Sequence, residues 1–387
     1  MLVRLAFLAT VVAIAFSGAA SAQATPGHSI LVGAAEDGAK LGDPVAADAK
    51  MALARLAGFN TIRMTSVWWP GNKEVFGDEL IGLQNAAAAA SLNGIRLLIT
   101  VYPNGSSITP RTPTARAQFA SYAASIPRLI PYIHDVIIGN EPNENRFWMP
   151  QFTKTGLDAA ASAYVGLLAE SYDALKAVSP KINVIGGTLG PRGSDKPWLA
   201  RPTHSPTQFI LDMGAAYRRS GRKKPLMDWF SFHPYMEKSR IPPTFAHPKV
   251  KVITIADYGK LTSLLGRAFD GTAQPGSTLP ILYDEFGVQT QLTDGKRSLY
   301  TNQQLPSAND AVDESTQGRY YRIALQLAVC QPNVVGLLFF HVSDETDLAR
   351  WQSGVYYADD TPKSDLPVVK AAAQAARAGT LVKTCPR

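Results

Sequence analysis

Apolar, β-branched segments recur along the chain of 387 residues, with stretches of helical periodicity between them. We predict eight strands, at 29–33, 61–66, 96–101, 136–140, 183–187, 229–233, 281–285 and 335–341. Parallel strands that are covered by helices on both faces have this near-continuous apolar character. Eight such units in one chain close naturally into a barrel. The sequence therefore predicts an α/β fold, a (β/α)8 TIM barrel in a single domain.

A doubly wound open sheet is the alternative architecture for alternating strands and helices. That fold would need a glycine-rich phosphate loop after its first strand, and the segment 33–38, Gly-Ala-Ala-Glu-Asp-Gly, lacks the glycine spacing. The interval 235–280 is the least regular of the eight, with a Pro-rich loop followed by a predicted helix at 255–265. A helix at about 366–378 would complete the eighth unit, and the barrel is favoured.

The first 22 residues have the pattern of a secretory signal peptide: Arg4, an apolar stretch over 5–16, and small residues up to Ala22. We therefore predict a signal peptide over 1–22 and one catalytic domain over 23–387, in a secreted protein, either periplasmic or extracellular. No later segment has the roughly 18 uninterrupted apolar residues of a membrane helix. We expect no membrane association.

Charge and cysteine content narrow the function further. The net charge is +7, and the densest basic cluster, 218–224, is interpreted as a solvated helix end or turn. Nucleic-acid binding would need a wider basic patch with interleaved aromatic residues, and we do not expect it. Cys330 and Cys385 are the two cysteines of the sequence. In an exported protein they are expected to form one disulfide, with two unpaired thiols as the alternative.

Two of the predicted strands end in a carboxylate. The segment 137–143 reads Ile-Ile-Gly-Asn-Glu-Pro-Asn and places Glu141 after the fourth strand, and 281–287 reads Ile-Leu-Tyr-Asp-Glu-Phe-Gly and places Glu285 at the end of the seventh. Barrel enzymes build their active sites at the C-terminal ends of the strands. Strands four and seven lie across the barrel mouth from each other, and a facing pair of carboxylates is suited to glycoside hydrolysis.

Asn140-Glu141-Pro142 together with Glu285 resembles the pattern of the large barrel clan of retaining glycoside hydrolases, clan A, which contains families 5 and 39. In that clan the Glu of the Asn-Glu-Pro motif is the general acid/base, and the Glu of the seventh strand is the nucleophile. The resemblance implies a secreted glycoside hydrolase that cleaves O-glycosidic bonds, expected to be β-linked, by double displacement. Glu141 would be its acid/base and Glu285 its nucleophile.

Further residues extend the resemblance. Arg63 is similar to the second-strand Arg that lies under the nucleophile in this clan, and the segment 233–235, His-Pro-Tyr, resembles the clan's His-x-Tyr. The resemblance implies that Tyr235 donates a hydrogen bond to the nucleophile, that His233 contacts the acid/base or substrate, and that Asn140 binds the sugar 2-hydroxyl. A plain salt bridge for Arg63 and a core position for His233 are the alternatives.

The chain departs from the clan pattern at two places. Tyr-Pro-Asn at 102–104 follows the third strand, where many members have a His, and Phe-Phe-His at 339–341 ends the eighth, where many have a Trp under the sugar. Aromatic rings on this face can stack on sugars, with core packing as the alternative. The candidates for sugar contacts are Trp68, Trp69, Trp148, His341 and Trp351.

Two other functions are compatible with the same residues. A non-catalytic glycan-binding barrel would use the aromatic surfaces without needing both carboxylates. A metal-dependent barrel hydrolase would use His233, His341, Asp284 or Glu285 as ligands. The resemblance implies neither metal nor cofactor, and it implies a glycoside, oligosaccharide or polysaccharide as the binding partner of a monomer. The sugar, its linkage and exo or endo action are left unassigned.

Overall fold

The computed structural model describes residues 26–385, and the predicted signal peptide lies outside them. Within this range eight strands alternate with eight α-helices. The strands are β1 Leu31–Ala35, β2 Thr61–Trp68, β3 Arg96–Pro103, β4 Asp135–Ile138, β5 Asn183–Leu189, β6 Trp229–Phe232, β7 Ile281–Phe286 and β8 Val334–Phe340. The helices are α1 Pro44–Leu56, α2 Gly77–Asn93, α3 Pro113–Leu129, α4 Ala160–Val178, α5 Pro206–Ser220, α6 Tyr258–Phe269, α7 Glu314–Ala328 and α8 Leu366–Arg377.

The strands form one closed parallel barrel in sequence order, and β8 pairs with β1 from Leu31 opposite Gly336 onward. The predicted (β/α)8 fold is therefore confirmed. The ends of several strands differ from the prediction. Strand β1 begins at Leu31 rather than at residue 29, and β2 continues two residues further, to Trp68. Strand β4 ends at Ile138, so Asn140 and Glu141 lie just beyond it.

Three helix starts in this chain follow a local rule. Asp43, Thr112 and Ser205 each cap a helix, accepting a backbone N–H with the side chain, and in all three a proline follows at the first helical position. An oxygen at the cap satisfies an otherwise unpaired N–H, and proline there loses no hydrogen bond. Three of the helices that cover the barrel are thus fixed at their N-termini by the sequence itself.

The barrel interior changes character along its axis. One layer is aliphatic and consists of Leu98, Ile137, Ile185, Leu282 and Leu338. Side chains two residues apart on a strand point to the same side. One step further along their strands, Thr100 follows Leu98 and Asp284 follows Leu282, and both are fully buried. The interior therefore becomes polar toward the C-terminal ends of the strands.

The opposite end of the barrel carries the disulfide. Cys330 lies two residues beyond α7 and bonds to Cys385, with their Cα atoms 5.3 Å apart and a sequence separation of 55. This confirms the expected pairing. No helix within residues 26–385 combines the length and the apolar character that crossing a membrane requires.

Candidate active site

A cleft of about 1060 Å³ opens where the strands end. Segments that follow six of the strands line it, including 236–239 after β6 and 345–351 after β8. The predicted site residues that line the cleft are Arg63, Asn140, Glu141, Tyr235, Glu285, His341 and Trp351. His233 lies beneath it, fully buried.

Glu141 and Glu285 lie on either side of one imidazole nitrogen. Nδ1 of His233 is 3.0 Å from Oε1 of Glu141 and 3.6 Å from Oε2 of Glu285. These two carboxylate oxygens therefore cannot be farther apart than the sum of those distances. Glu141 has a φ of 38°, and Gly139, two residues earlier, has a φ of 90°. This left-handed backbone is sparsely populated for a residue with a side chain, and here it turns Glu141 into the cleft.

Arg63 lies beneath Glu285 and is 3 % exposed. Its Nη1 is 2.5 Å from Oε1 of Glu285, and its Nη2 donates to Oδ1 of Asn140 at 2.8 Å. Its Nε donates to Oγ1 of Thr100 at 2.6 Å and lies 3.2 Å from Oδ2 of Asp284. Burial alone would lower the pKa of Arg63, but the charges of Glu285 and Asp284 outweigh it and raise that pKa above its usual value. The guanidinium therefore stays charged and holds Glu285 and Asn140 in place.

His233 connects the two carboxylates of the cleft to a third below them. Its Nε2 lies 3.3 Å from Oδ1 of Asp284, which also accepts a hydrogen bond from Ser231. Burial opposes protonation of the imidazole, but Glu285 and Asp284 raise the pKa of His233 to about 10. Burial likewise opposes ionisation of Asp284, and His233 and Arg63 nevertheless lower its pKa. Asp284 is thus a buried anion between two cations.

Tyr235 completes the surroundings of Glu285, since its hydroxyl donates to Oε2 at 3.0 Å. Burial and then the charge of Glu285 raise the pKa of Tyr235 well above 10.0, so it remains a donor. Its ring packs 5.3 Å from that of Trp351 and 6.3 Å from that of Phe340. Nδ1 of His341 is 2.9 Å from the carbonyl oxygen of Ala35. These aromatic side chains form one wall of the cleft.

Two of the tryptophans proposed to contact sugar lie elsewhere. Trp68 is fully buried because β2 continues through it, and its ring packs against Phe119. Trp148 is 1 % exposed and packs against Tyr164. For both, the prediction of a sugar contact is wrong, and core packing is their role. Trp69 is 53 % exposed but does not line the cleft.

The sequence interpretation missed three residues at the site. Asp284 was considered only as a metal ligand, although its position two residues after the interior Leu282 indicates an inward side chain. Glu144 lines the cleft one turn beyond Glu141, and burial followed by the charge of Glu141 raises its pKa to about 8. Tyr102, in the segment that departs from the clan pattern after the third strand, also lines the cleft. Spacing from the inward Leu282 could have identified Asp284, whereas Glu144 lies in a turn beyond β4 where strand alternation does not apply.

The fold and this site define a class: a (β/α)8 barrel with a facing carboxylate pair at the ends of β4 and β7. Solved structures of the same fold include a GH39 enzyme from Xanthomonas axonopodis pv. citri, with TM-score 0.55, 14 % identity, and coverage of 92 % of this chain and 71 % of that one. Another is GH5_18 from Streptomyces cattleya in complex with GlcNAc, with TM-score 0.59, 15 % identity, and coverage of 93 % and 83 %.

A third similar structure is a GH5-4 broad specificity endoglucanase from Clostridium longisporum, with TM-score 0.56, 13 % identity, and coverage of 92 % of this chain and 96 % of that one. No protein-family model and no curated protein sequence matches this chain. The structural neighbours therefore establish the fold that GH39 and GH5 enzymes share with this protein.

Proposed function

We propose that this protein is a retaining glycoside hydrolase, with Glu285 as nucleophile and Glu141 as general acid/base. The observation that carries the proposal is the pairing of these two carboxylates around His233, at 3.0 and 3.6 Å from one nitrogen. Retaining enzymes need their carboxyl groups about 5–5.5 Å apart, whereas inverting enzymes leave about 6.5–9.5 Å for a water. The two carboxylate oxygens cannot be farther apart than the sum of their distances to the His233 nitrogen. This upper limit favours the retaining class, to which the sequence resemblance also points.

The surroundings of each carboxylate suit its proposed role. Arg63 and Tyr235 both contact Glu285, which stabilises the anion that a nucleophile needs. Glu285 would attack the anomeric carbon while Glu141 gives its proton to the departing glycosidic oxygen. Water would then lose a proton to Glu141 and attack the same carbon, which releases Glu285 and the sugar. The net reaction adds one water across the glycosidic bond.

Asn140 would bind the sugar 2-hydroxyl, because its side chain lies in the cleft and is oriented by Arg63. Trp351 and Tyr235 would supply the apolar surface for a sugar ring. We expect β-linked glycosides as substrates, and secretion, since the leader pattern over 1–22 favours export.

Two rival functions receive less support. In a metal-dependent hydrolase Asp284 and Glu285 would be free to ligate an ion, but Arg63 already neutralises both. A non-catalytic glycan binder would have no chemical need for the convergence of Arg63, Tyr235 and His233 on two carboxylates. The hydrolase explains these contacts, and the binder does not.

The test uses purified wild-type protein on a panel of aryl glycosides, followed by Glu141→Ala and Glu285→Ala on the best substrate. Each variant is expected to lose most activity. Azide should rescue Glu141→Ala with a β-glycosyl azide product, and Glu285→Ala with the α-azide, as identified by NMR. Glu170→Ala, which removes a carboxylate on α4 outside the cleft, is the control. Substantial turnover by Glu285→Ala would refute the proposed nucleophile.

A further inference from the structure

A second cluster of titratable side chains lies where α4 and α5 begin. Asp158 precedes α4, His204 precedes α5, and Asp212 lies in the second turn of α5. Each residue offers one ligand atom, and these three atoms lie within 4.8 Å of one another. None of the three residues lines the cleft. The proposed glycosidase chemistry therefore makes no use of the cluster.

The cluster is largely buried, with Asp212 the partly exposed member, yet its polar atoms are incompletely paired. The side chains of His204 and Asp158 are 1 % and 8 % exposed. Across residues 26–385, Nδ1 of His204 and Oδ2 of Asp158 find no hydrogen-bond partner. Nε2 of His204 is 2.9 Å from the carbonyl oxygen of Gln151 and 3.4 Å from Oδ1 of Asp158. Unpaired polar atoms in the interior cost stability, so either a proton or a cation is needed to complete this cluster.

The surrounding protein supplies little positive charge. Lys251 lies nearby, but its Nζ is 2.8 Å from Oδ2 of Asp195, which also accepts from Ser205. Asp212 accepts hydrogen bonds at 3.1 Å from the neutral amide of Gln208. In the described part of the chain no lysine or arginine forms a salt bridge with Asp158 or Asp212. Two carboxylates this close in a largely buried site are stabilised by a cation or a shared proton between them.

We propose that Asp158, His204 and Asp212 bind one divalent transition-metal ion, Mn²⁺ or Zn²⁺. Carboxylate ligands suit Mn²⁺ and imidazole suits Zn²⁺, and a mixed set disfavours Ca²⁺ and Mg²⁺, which prefer oxygen ligands alone. Metal–ligand bonds of about 2.0–2.2 Å allow ligand atoms up to roughly 4.4 Å apart. The three side chains would thus need only a small movement to close around the ion.

The ion would stabilise the segment that carries Glu141. The backbone N–H of His204 donates to the carbonyl oxygen of Asn143 at 2.9 Å, and Nδ2 of Asn143 donates to the carbonyl oxygen of His204 at 3.1 Å. Asn143 lies two residues after Glu141. An ion that joins the starts of α4 and α5 therefore fixes the loops after β4 and β5 against each other, in a structural role.

A shared proton is the competing way to hold the two carboxylates together. Burial, with a further contribution from Asp212, raises the pKa of Asp158 to about 8. Asp158→Asn separates the two possibilities, because an asparagine amide can donate to Asp212 as a protonated carboxyl would, but it is a poor metal ligand. This variant should therefore fold normally and lose the metal.

The experiment uses untagged protein freed of metal by dialysis against a chelator. Calorimetric titration with MnCl₂ and with ZnCl₂ should show one ion per chain, and a saturating ion should raise Tm by several degrees. Asp158→Asn and His204→Gln should bind at least tenfold more weakly while remaining folded. The control is Asp173→Asn, which removes an acid on α4 that pairs with Arg222, and it should bind as the wild type does.

Two results would overturn the proposal. One is the absence of stoichiometric binding and of any Tm change in the wild-type protein. A shared proton, rather than an ion, would then hold the two carboxylates together. The other is equal metal binding by Asp158→Asn, which would place the ion elsewhere. Both readouts are independent of glycosidase activity, so the two proposals succeed or fail separately.

Discussion

At the residue scale, the two carboxylates of the cleft differ in what surrounds them. The guanidinium of Arg63 and the hydroxyl of Tyr235 both donate hydrogen bonds to Glu285, at distances of 3.0 Å or less. Glu141 lies next to His233 and one turn before Glu144. Donors that are already in place around a carboxylate need no reorganisation when it reacts. The assigned roles follow this asymmetry.

Arg63 provides the sharpest test of that asymmetry. A lysine cannot reach Glu285, Asn140 and Thr100 at once, so Arg63→Lys should leave the proposed nucleophile and Asn140 misoriented. We expect kcat/KM to fall by about 100-fold, roughly 2.7 kcal/mol of transition-state stabilisation. The control is Arg96→Lys, which disrupts a two-bond pair with Asp135 at the start of β3. Equal losses in both variants would indicate general destabilisation rather than a defect of the site.

Glu144 predicts a pH dependence of stability. Its folded pKa is raised from 4.5 to about 8, because burial and then Glu141 disfavour its charged form. The folded state therefore binds more protons than the unfolded state, and stability should fall as pH rises from about 4.5 to 8. Glu144→Gln removes that titration, so its Tm relative to wild type should increase steadily between pH 5 and pH 8.

Melting curves at unit pH intervals would measure this difference. Glu74→Gln is the matched control, because the Glu74 side chain is 55 % exposed and pairs only at the surface. Its difference from wild type should stay constant over the same range. A Glu144→Gln difference that is flat or decreases with pH would contradict the assignment.

At the element scale, strands were predictable in number and order, but their ends were not. Each apolar run marks a strand because both faces of a barrel strand are covered. The predicted end of β2 at Ser66 is two residues short, because the pairing of β2 with β3 continues to Trp68 opposite Pro103. Pairing partners are distant in sequence, and no local pattern encodes them. The misplacement of Trp68 follows from this limit.

The loops after β7 and β8 show the same limit. A buried ion pair within the loop after β8 contacts the loop after β7, and the sequence did not reveal it. Nζ of Lys363 lies 2.8 Å from Oδ1 of Asp344 and 2.8 Å from Oγ1 of Thr290, and both ionic side chains are fully buried. Tyr300 donates to Oδ2 of Asp344 at 2.7 Å. These loops carry much of the cleft wall, including Trp351. The ion pair therefore stabilises the loops that form this wall of the cleft.

Lys363→Met should destabilise the protein by about 3–5 kcal/mol, because it leaves Asp344 buried and unpaired. Adding Asp344→Asn should recover part of that loss, since the stranded charge disappears. Urea unfolding of the two variants measures both effects. Lys50→Met, which breaks a half-exposed pair with Asp360, should cost at most about 1 kcal/mol. A cost as small for Lys363→Met would contradict the importance of the buried pair.

At the scale of the whole molecule, the barrel separates stability from chemistry along its axis. The cleft lies at the C-terminal ends of the strands, and both ends of the described chain meet at the other. There the N–H of Gly27 donates to the carbonyl oxygen of Val382 at 3.0 Å. The N–H of His28 donates to the carbonyl oxygen of Val329 at 2.9 Å. The fold and the Cys330–Cys385 pairing were predictable, because both follow from counting strands and cysteines.

The disulfide tests this separation. It closes a loop of 55 residues, and chain-entropy arguments give it about 4 kcal/mol of stabilisation. The double variant Cys330→Ala/Cys385→Ala should therefore have a free energy of unfolding that is lower by that amount. Urea unfolding measures the difference. Its kcat/KM on the best glycoside, measured well below Tm, should match the wild type, because the bond lies at the end of the barrel opposite Glu141 and Glu285. A large loss of activity in a fully folded variant would show that the two ends of the barrel are coupled.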